Sequence, residues 1–533
     1  MTTSNLRSNS SSGSLHPREL LPTLVQQMLR PEFYPHSVKT PIQLCQTHIS
    51  FIFLTGDFAY KIKKSVNLGF LDFSTIEKRQ YFCNQELRMN QALAPNLYLE
   101  VLPITQQNNK FSFGNDSNHI VEYALKMRQF PQEDLLINRF KNNQITLQQI
   151  EELGQVVAKF HLAAPTNDDI LKLGQVENIR HSINQNFEQA EKYIGIAQTQ
   201  KQYDETKQFS QHFFEQRQAL FNQRINNHWI RECHGDLHLK NICIFEDKIT
   251  LFDRIEFNQE FRFVDVMYDV AFLVMDLEAR GRTDLSYQFL NTYIEITGDW
   301  EGLQILPFYL SRQAYVRAKV NSIMLDDTTI SEEDKIAIIQ DAKHYYQLAW
   351  QYTQQQHGGM IIMSGLSGSG KSTIARKLSQ FMGAIQIRTD AVRKHLGGIS
   401  LHEKGGDELY TSEMTQKTYS RLLELGILLI KAGFWVILDG KYDRINLRKK
   451  VINLCNSQQL SLHIVECNAP LEILRSRLQN RQNDIADATA DLLTSQQALA
   501  EAFTPEEQPY LTTIDTTQNV DNQLKCFINK IKG

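Results

Sequence analysis

Long apolar runs and paired cysteines are both missing from this chain of 533 residues. The most apolar stretch, at residues 426–438, is broken by Lys431 and Gly433, which argues against a membrane-spanning helix there. The chain has only seven cysteines, and none of them form a CxxC pair, so neither a zinc site nor a disulfide framework is predicted. Scattered reduced thiols favour a cytoplasmic protein.

A strong charge of either sign is also absent. The formal net charge of −4 provides no basic field that would attract nucleic acid. Nothing in the sequence indicates a membrane or an obligate protein partner. Residues 1–16 are polar and rich in serine, without the apolar core of a signal peptide, and are predicted to form a disordered tail.

A polar segment, QYTQQQHG at residues 351–358, is the best candidate for a linker. It divides the chain into a domain at residues 17–350 and a second domain at residues 359–533. In the first domain, residues 50–63 predict a hairpin around a TGD turn and residues 75–94 a helix. Residues 119–130 predict another strand, and the pattern is mostly helical from residue 147 onward. This order predicts a small β-rich lobe followed by a larger helical lobe.

The motif HGDLHLKN, at residues 234–241, carries the chemistry of the first domain. Asp236 and Asn241 have the five-residue spacing of a catalytic aspartate and a metal-binding asparagine in the kinase pattern H-R-D-x-x-x-x-N. Two short β-type runs then lead to Asp253, a second candidate ligand for Mg²⁺. Upstream, FAYK places Lys61 where it would contact the α- and β-phosphates of ATP, and Glu86 on the following helix would hold that lysine.

Several of these assignments have competitors. Lys63 shares a strand face with Lys61, so alternation alone does not separate the two, and Lys64 is adjacent. Glu77 competes with Glu86, although it fits a solvated helix charge. Five further acids of the first domain would suit a polycationic acceptor, but helix capping and surface salt bridges explain four of them better, and Glu256 would orient the metal loop. These acids are Glu256, Asp265, Asp269, Asp276 and Glu278.

The motifs AYK, HGDLHLKN, LFDRIEF and DVMYDVAFL resemble the aminoglycoside-phosphotransferase (choline-kinase-like) family over roughly residues 20 to 350. The resemblance implies an α+β, protein-kinase-like bilobal fold. It also implies that Asp236 is the catalytic base, that Asn241 and Asp253 bind metal, and that Lys61 contacts nucleotide. Lys240 departs from the family, in which many members have glycine at this position.

The second domain contains GLSGSGKS, at residues 365–372, which matches the P-loop pattern G-x-x-x-x-G-K-[ST]. An apolar strand precedes it and a helical run follows it, as this motif requires. Backbone N–H groups of such a loop bind phosphates, the lysine contacts the β- and γ-phosphates, and the serine hydroxyl binds Mg²⁺. The predicted nucleotide-binding residues are Gly365, Gly368, Ser369, Gly370, Lys371, Ser372 and Thr373.

Further signals in this domain predict catalytic groups. Asp390 ends the strand-like run AIQIRTD and is predicted to take the proton of an acceptor hydroxyl, while Arg393 binds the acceptor; the alternative is that Asp390 only caps the next helix. Asp439 ends an apolar strand, as a Walker B acid that binds Mg²⁺ does. Arg477 and Arg481 share a helix face and would close over the phosphates, unless that face is only solvated.

The motifs GLSGSGKST, RTDAVRK, VILDG and RSRLQNR resemble the small-molecule and zeta-toxin-like P-loop kinases, or AAA-type ATP-binding domains, over roughly residues 359 to 533. This resemblance implies an α/β P-loop NTPase fold with a parallel sheet. The two domains in this order resemble a group of bacterial bifunctional proteins. We therefore expect a bifunctional kinase that uses ATP and Mg²⁺ to phosphorylate small hydroxyl-bearing acceptors. Two alternatives are an ATP-sensing regulatory protein and a nucleic-acid end kinase that uses Arg444, Arg448, Lys449 and Lys450.

Overall fold

The computed structural model describes residues 21–114, 116, 119–328, 330–480, 485–487 and 489–532. Contacts within the chain divide it into two compact units. The first unit comprises the residues up to 145, residues 164–174 and residues 228–269, and the second comprises residues 146–163, residues 175–227 and the chain from residue 270. The predicted tail at residues 1–16 lies outside the described residues. The predicted domain boundaries stay predictions.

The first unit is built on a six-stranded antiparallel sheet with the order β1-β2-β3-β6-β4-β5. The predicted hairpin at residues 50–63 is confirmed, with Ile52 of β2 opposite Lys61 of β3. Aromatic and aliphatic side chains from one face of the sheet form a buried core that includes Phe53, Tyr60 and Ile104. The strands are β1 (Gln43–Gln46), β2 (Ser50–Leu54), β3 (Phe58–Lys63), β4 (Tyr98–Gln107), β5 (Lys110–Phe113) and β6 (Ile120–Arg128).

Helices and short ribbons complete the first unit. The predicted helix at residues 75–94 is confirmed as α2, and the side chain of Thr75 caps it by accepting a hydrogen bond from the N–H of Lys78. Two antiparallel ribbons, β7 with β10 and β8 with β9, flank the HGDLHLKN loop. The elements are α1 (Thr23–Met28), α2 (Ile76–Gln91), α3 (Leu136–Lys141), α5 (Asp168–Leu173), β7 (Ile230–Glu232), β8 (Ile242–Phe245), β9 (Lys248–Leu251) and β10 (Phe263–Asp265).

The second unit contains a helical region and a parallel sheet. In the helical region, α10 packs against α4 and α11 against α12. The helices of this region are α4 (Leu147–Ala163), α6 (Val176–Ala190), α7 (Gln200–Gln216), α8 (Gln218–Asn226), α9 (Val266–Glu278), α10 (Thr283–Thr297), α11 (Leu306–Ile323) and α12 (Glu332–Gln351). The first turn of α9 falls in the first unit.

The parallel sheet has five strands in the order β12-β13-β11-β14-β15. Its central strand β11 is buried along its whole length, and Ile361, Ile437 and Val465 lie in one apolar core. Continuous burial of this kind is expected of a parallel sheet that is covered on both faces. The strands are β11 (Gly359–Ser364), β12 (Ala384–Arg388), β13 (Trp435–Asp439), β14 (Ser461–Asn468) and β15 (Leu511–Asp515).

Helices surround this sheet, namely α13 (Lys371–Met382), α14 (Thr389–Gly397), α15 (Ser412–Lys431), α16 (Ile445–Ser457), α17 (Leu471–Gln479), α18 (Leu493–Leu499) and α19 (Val520–Lys532). The predicted fold class is confirmed: an α/β lobe of kinase type comes first, and a parallel sheet with a P-loop follows. Across the described ranges, no helix combines the length and the hydropathy needed to cross a membrane.

Candidate active sites

Two lysines and three carboxylates form one cluster in the first unit, and all of them except Asp253 are buried. Lys61 Nζ lies 2.7 Å from Glu86 Oε1 and 2.7 Å from Asp253 Oδ1. Lys63 Nζ lies 2.7 Å from Glu86 Oε2 and also contacts Glu256 Oε1. Glu86 therefore binds both lysines, one through each oxygen. Because residues two apart on a strand face the same way, β3 presents both ammonium groups to this carboxylate.

The electrostatics of the cluster follow from its burial and its pairing. Burial lowers the pKa of Lys61, but the carboxylates of Asp253 and Glu86 outweigh that effect and raise the pKa well above its ordinary value. Burial alone would raise the pKa of Glu86, yet the two ammonium groups lower it. Glu86 is fully buried, whereas its competitor Glu77 is exposed on the first turn of α2. Of the two glutamates, Glu86 is therefore the one that contacts Lys61.

The HGDLHLKN loop places Asp236 beside Asn241. The side-chain amide of Asn241 donates to Asp236 Oδ2 at 3.1 Å and to the backbone oxygen of Asp236 at 3.0 Å. Asp269 fixes the start of the loop, because its carboxylate accepts hydrogen bonds from the N–H groups of His234 (2.6 Å) and Gly235 (2.9 Å). Gly235 has a φ of 85°, and a Cβ there would approach Phe261 O to 2.6 Å, so this turn requires glycine.

Asp253 follows the β8–β9 ribbon in a constrained conformation. Its φ is 60°, in the left-handed region, and its N–H donates to the hydroxyl of Tyr98 at 3.0 Å. The next residue, Arg254, donates its N–H to the side chain of Asn90 on α2. The side chain of Asp253 is 42% exposed, while that of Glu256 is 5% exposed. Asp253 is thus the accessible carboxylate of the cluster.

The oxygen donors in this region suit Mg²⁺, which prefers carboxylate, amide and water oxygens. Asn241 uses its amide nitrogen toward Asp236, so its amide oxygen points elsewhere. Asp236 itself is 8% exposed. Partial desolvation raises the pKa of Asp253, the Lys61 ammonium lowers it by more, and the charge of Asp236 opposes that lowering. Two mutually repelling carboxylates next to an amide oxygen form a donor set that a divalent cation would satisfy.

The P-loop connects β11 to α13 and has the backbone that phosphate binding requires. Gly365, Gly368 and Gly370 have φ values of 132°, 79° and 90°. A Cβ at Gly365 would come within 2.4 Å of Cys467 O, and one at Gly368 within 2.7 Å of Leu474 O. The hydroxyl of Ser369 is buried and makes no hydrogen bond to any residue that the structure describes. An unsatisfied buried hydroxyl in such a loop fits a phosphate ligand.

Lys371, Ser372 and Thr373 begin helix α13. Lys371 Nζ donates to the backbone oxygen of Leu366 within the loop, at 2.8 Å. Burial lowers the pKa of Lys371, and the carboxylate of Asp439 partly counteracts it. Thr373 is exposed, whereas Ser372 is half-buried. Among the described residues no carboxylate bonds directly to this lysine, as expected for a group that binds phosphate.

Asp439 ends β13 as predicted, and neighbouring side chains of β12 hold its carboxylate. Gln386 Nε2 donates to Asp439 Oδ2 at 2.9 Å, and Arg388 Nε lies 3.9 Å from the same oxygen. The hydroxyl of Thr389 donates to the backbone oxygen of Asp439. The motif analysis did not single out Gln386 or Arg388, because their roles depend on the pairing of β12 with β13 rather than on local spacing.

One local prediction about Asp390 is wrong. Strand β12 ends at Arg388, and Asp390 lies in the first turn of α14. Its proposed role as the N-cap is also wrong, since the N-cap position is Arg388. An acid in a first helical turn interacts favourably with the helix dipole, which explains the placement. Arg393 is buried and donates to Leu409 O, with its guanidinium 5.1 Å from the centre of the Tyr410 ring.

Arg477 reaches the P-loop from α17. Its guanidinium donates to Thr516 O and Thr516 Oγ1, each at 2.9 Å, and to Gly368 O at 3.4 Å. The alternative of a merely solvated face is therefore wrong for Arg477. Arg481 lies outside the described residues.

Comparison with known proteins agrees with the two folds. Residues 81–306 match the family model described as a phosphotransferase enzyme family, and residues 360–503 match that of an AAA domain. Both resemblances that the motifs indicated are thereby confirmed. The chain is an ATP-dependent kinase in which a region similar to the phosphotransferase family precedes a region similar to an AAA domain.

One curated relative matches most of the chain, and the solved structures each match about a third of it. An uncharacterized protein of Mycobacterium tuberculosis (strain ATCC 25618 / H37Rv) is 29% identical over 462 residues, which cover 85% of this chain and 88% of the relative. A gluconokinase from Sinorhizobium meliloti 1021 is 20% identical, with a TM-score of 0.24, and covers 32% of this chain and 90% of its own. The APS kinase CysC of Mycobacterium tuberculosis is 19% identical, with a TM-score of 0.25, and the match covers 33% of this chain and 99% of the kinase chain.

Proposed function

We propose that this chain is a bifunctional phosphotransferase with two independent sites for ATP and Mg²⁺, each of which phosphorylates a small hydroxyl-bearing acceptor. The observation that supports this best is that each fold has its own set of candidate phosphate-binding and metal-binding groups. The first unit combines paired lysines with three candidate oxygen ligands, and the parallel-sheet domain combines a P-loop with Asp439. The two sets share no residue.

In the first site, Lys61 binds the α- and β-phosphates of ATP, while Asn241 and Asp253 hold Mg²⁺. The ion pair between Lys61 and Asp253 supports these roles, because a phosphate and a metal would replace each group's present partner. Asp236 orients the acceptor hydroxyl and takes its proton. The hydroxyl oxygen then bonds to the γ-phosphorus, the bond to the β–γ bridging oxygen breaks, and ADP leaves.

In the second site, Lys371 and the N–H groups of the P-loop bind the phosphates, and Ser372 and Asp439 hold Mg²⁺. Arg477 stabilises the negative charge of the transferring phosphoryl group from α17. Asp390 takes the proton of the acceptor hydroxyl; its half-buried position in the first turn of α14, next to the edge of the sheet, is compatible with that role. The same bonds form and break as in the first site.

One of the four basic residues that a nucleic-acid end kinase would use is not available to bind nucleic acid. Arg448 is fully buried, and its guanidinium binds Glu507 at 2.7 Å, so it presents no charge to a nucleic acid. Free thiols and a need for ATP also favour action in the cytoplasm.

Transfer from γ-labelled ATP into a metabolite extract tests the proposal. The wild-type chain should label at least two classes of small molecule, Asp236→Asn should lose one class, and Lys371→Ala should lose the other. An ATP-sensing protein without transferase activity would label none. Loss of every labelled product in a single variant would contradict two independent sites.

A further inference from the structure

Helix α10 precedes the P-loop segment in the chain, yet its side chains contact the edge strand of the parallel sheet. The Asn291 amide donates to Ala384 O at 3.0 Å and accepts from the Gln386 N–H at 2.8 Å. A side-chain amide thereby satisfies backbone groups of β12 that an adjacent strand would otherwise pair. Residue 291 lies well before residue 360, where the match to the AAA domain begins.

A second contact from α10 lies one turn further along the same face. Glu295 Oε1 accepts from Arg388 Nη1 at 3.4 Å, and Arg388 Nε lies 3.9 Å from Asp439 Oδ2. The side chains of Arg388 and Asp439 are 9% and 3% exposed. Both charges of this pair are therefore largely removed from water, where electrostatic contacts are stronger than at the surface.

The two contacts converge on one carboxylate. Asn291 fixes the backbone of Gln386, whose side chain donates to Asp439 Oδ2, and Glu295 fixes Arg388, which approaches the same oxygen. Gln386 hydrogen-bonds Oδ2 and the Arg388 guanidinium attracts the same oxygen from 3.9 Å, so together they favour one orientation of the Asp439 carboxylate. Groups that hold a metal ligand from outside the metal's own coordination shell commonly decide how well the metal binds.

We propose that Asn291 and Glu295 are positioning residues of the P-loop site: they orient Asp439 for Mg²⁺ through Gln386 and Arg388. The inference rests on the proposed role of Asp439 as a metal ligand. On this proposal helix α10 contributes to the P-loop site, so nucleotide binding at that site depends on a segment that precedes the P-loop domain in the chain.

The test uses the full chain with the first site silenced by Lys61→Met, and it measures binding of a fluorescent ADP analogue as Mg²⁺ is titrated. Glu295→Gln and Asn291→Ala should each raise the Mg²⁺ concentration for half-maximal binding by about 5-fold or more, the lower end of typical couplings between groups. Binding without Mg²⁺ should stay close to that of the parent in both variants, and so should the melting temperature of Glu295→Gln. Asn291→Ala also leaves the Ala384 C=O and the Gln386 N–H unpaired, and should therefore lower the melting temperature. A purely structural role would move the melting temperature and leave the Mg²⁺ midpoint unchanged.

Glu151→Gln is the matched control. Glu151 on α4 also reaches an arginine of the P-loop domain, since it lies 3.7 Å from Arg376 Nη1 on α13, but neither residue contacts Asp439. An equal Mg²⁺ midpoint for Glu295→Gln and Glu151→Gln would overturn the inference. Should one α10 variant fail to fold, the other still decides, because Asn291 and Glu295 act through different partners.

Two further variants distinguish the metal role of Asp439 from the positioning role of Asn291 and Glu295. Asp439→Asn should raise the Mg²⁺ midpoint more than either α10 variant. If it does not move the midpoint, the metal role of Asp439 fails, and the positioning role fails with it. If Asp439→Asn acts and the α10 variants do not, only the positioning role is rejected. In an Arg388→Met background, Glu295→Gln should add no further change, and a full additional change would show that Glu295 does not act through Arg388.

Discussion

Replacing Lys61 and Lys63 by methionine, one at a time, separates nucleotide binding from stability in the first site. Methionine keeps much of the side-chain volume and removes the charge. Lys63→Met leaves Glu256, whose side chain is 5% exposed, without its ion-pair partner. Lys61→Met leaves Asp253, which is 42% exposed and can be hydrated, and Glu86 retains Lys63. The two variants therefore differ in which carboxylate loses its partner.

The expected loss of stability in each variant follows from the exposure of the carboxylate that loses its partner. Breaking a buried ion pair from one side costs about 3–5 kcal/mol, which in a domain of this size lowers the melting temperature by about 6–20 °C. Lys63→Met should show a loss in this range. Lys61→Met should lose less stability than Lys63→Met, because Asp253 can be hydrated and Glu86 keeps Lys63 on its other oxygen, but it should abolish phosphoryl transfer by the first site. Scanning calorimetry gives the stability of each variant, and labelled ATP gives its activity.

Glu256 determines how the stability of Lys63→Met changes with pH. Burial already raises the pKa of Glu256, against the opposing effect of Lys63, and removing Lys63 raises the pKa further. A carboxyl whose pKa is higher in the folded than in the unfolded state stabilises the fold below its unfolded pKa and loses that stabilisation as the pH rises through the folded pKa. The stability deficit of Lys63→Met should therefore shrink between pH 8 and pH 5.

Lys64→Met is the control, since Lys64 lies over the ring of Phe51 at 4.5 Å rather than against the carboxylate cluster. Its melting temperature should remain close to that of the wild type. The reasoning is refuted if Lys63→Met melts within about 2 °C of Lys64→Met, a difference of less than about 1 kcal/mol. It is equally refuted if Lys61→Met retains transfer by the first site.

The remaining predictions concern single catalytic groups. Asp236→Asn should lower transfer by the first site by about 10²- to 10⁴-fold while ATP affinity is kept, and unchanged turnover in a Lys371→Ala background would contradict the assignment. Lys371→Ala alone should remove ATP binding at the second site, measured by calorimetry, and leave transfer by the first site intact; loss of both activities would contradict separate sites. Asp390→Asn should lose most of the second activity with ATP affinity and melting temperature close to wild type, and near-normal turnover would reject its role as a base.

Residues that sit in short, continuous motifs were predictable from the sequence. HGDLHLKN and GLSGSGKS carry most of their chemistry within eight residues, and the contact between Asp236 and Asn241 depends only on the local turn. The hairpin that carries Lys61 was also predictable, because a TGD turn between two β-rich runs fixes its register.

Residues that act through distant pairing were not predictable. From the sequence, Lys61 and Lys63 are alternatives for the lysine that binds Glu86. In the structure both lysines bind Glu86, and these contacts depend on the packing of α2 against the sheet. The position of Asp269 in the sequence fits helix capping or a surface salt bridge, yet its carboxylate accepts hydrogen bonds from two N–H groups of the HGDLHLKN loop, 34 and 35 residues away. Asp390 was misplaced for a different reason: a strand and a helix meet without an intervening loop, and propensity does not locate such a boundary.

The central claim, two independent ATP sites in one chain, is tested most directly by the stoichiometry of nucleotide binding. Isothermal titration of the full chain with a non-hydrolysable ATP analogue and Mg²⁺ should give two nucleotides per wild-type chain. Lys61→Met and Lys371→Ala should each bind one nucleotide, with the affinity of the remaining site unchanged, and the double variant should bind none. A single nucleotide per wild-type chain, or the loss of both in either single variant, would contradict the account.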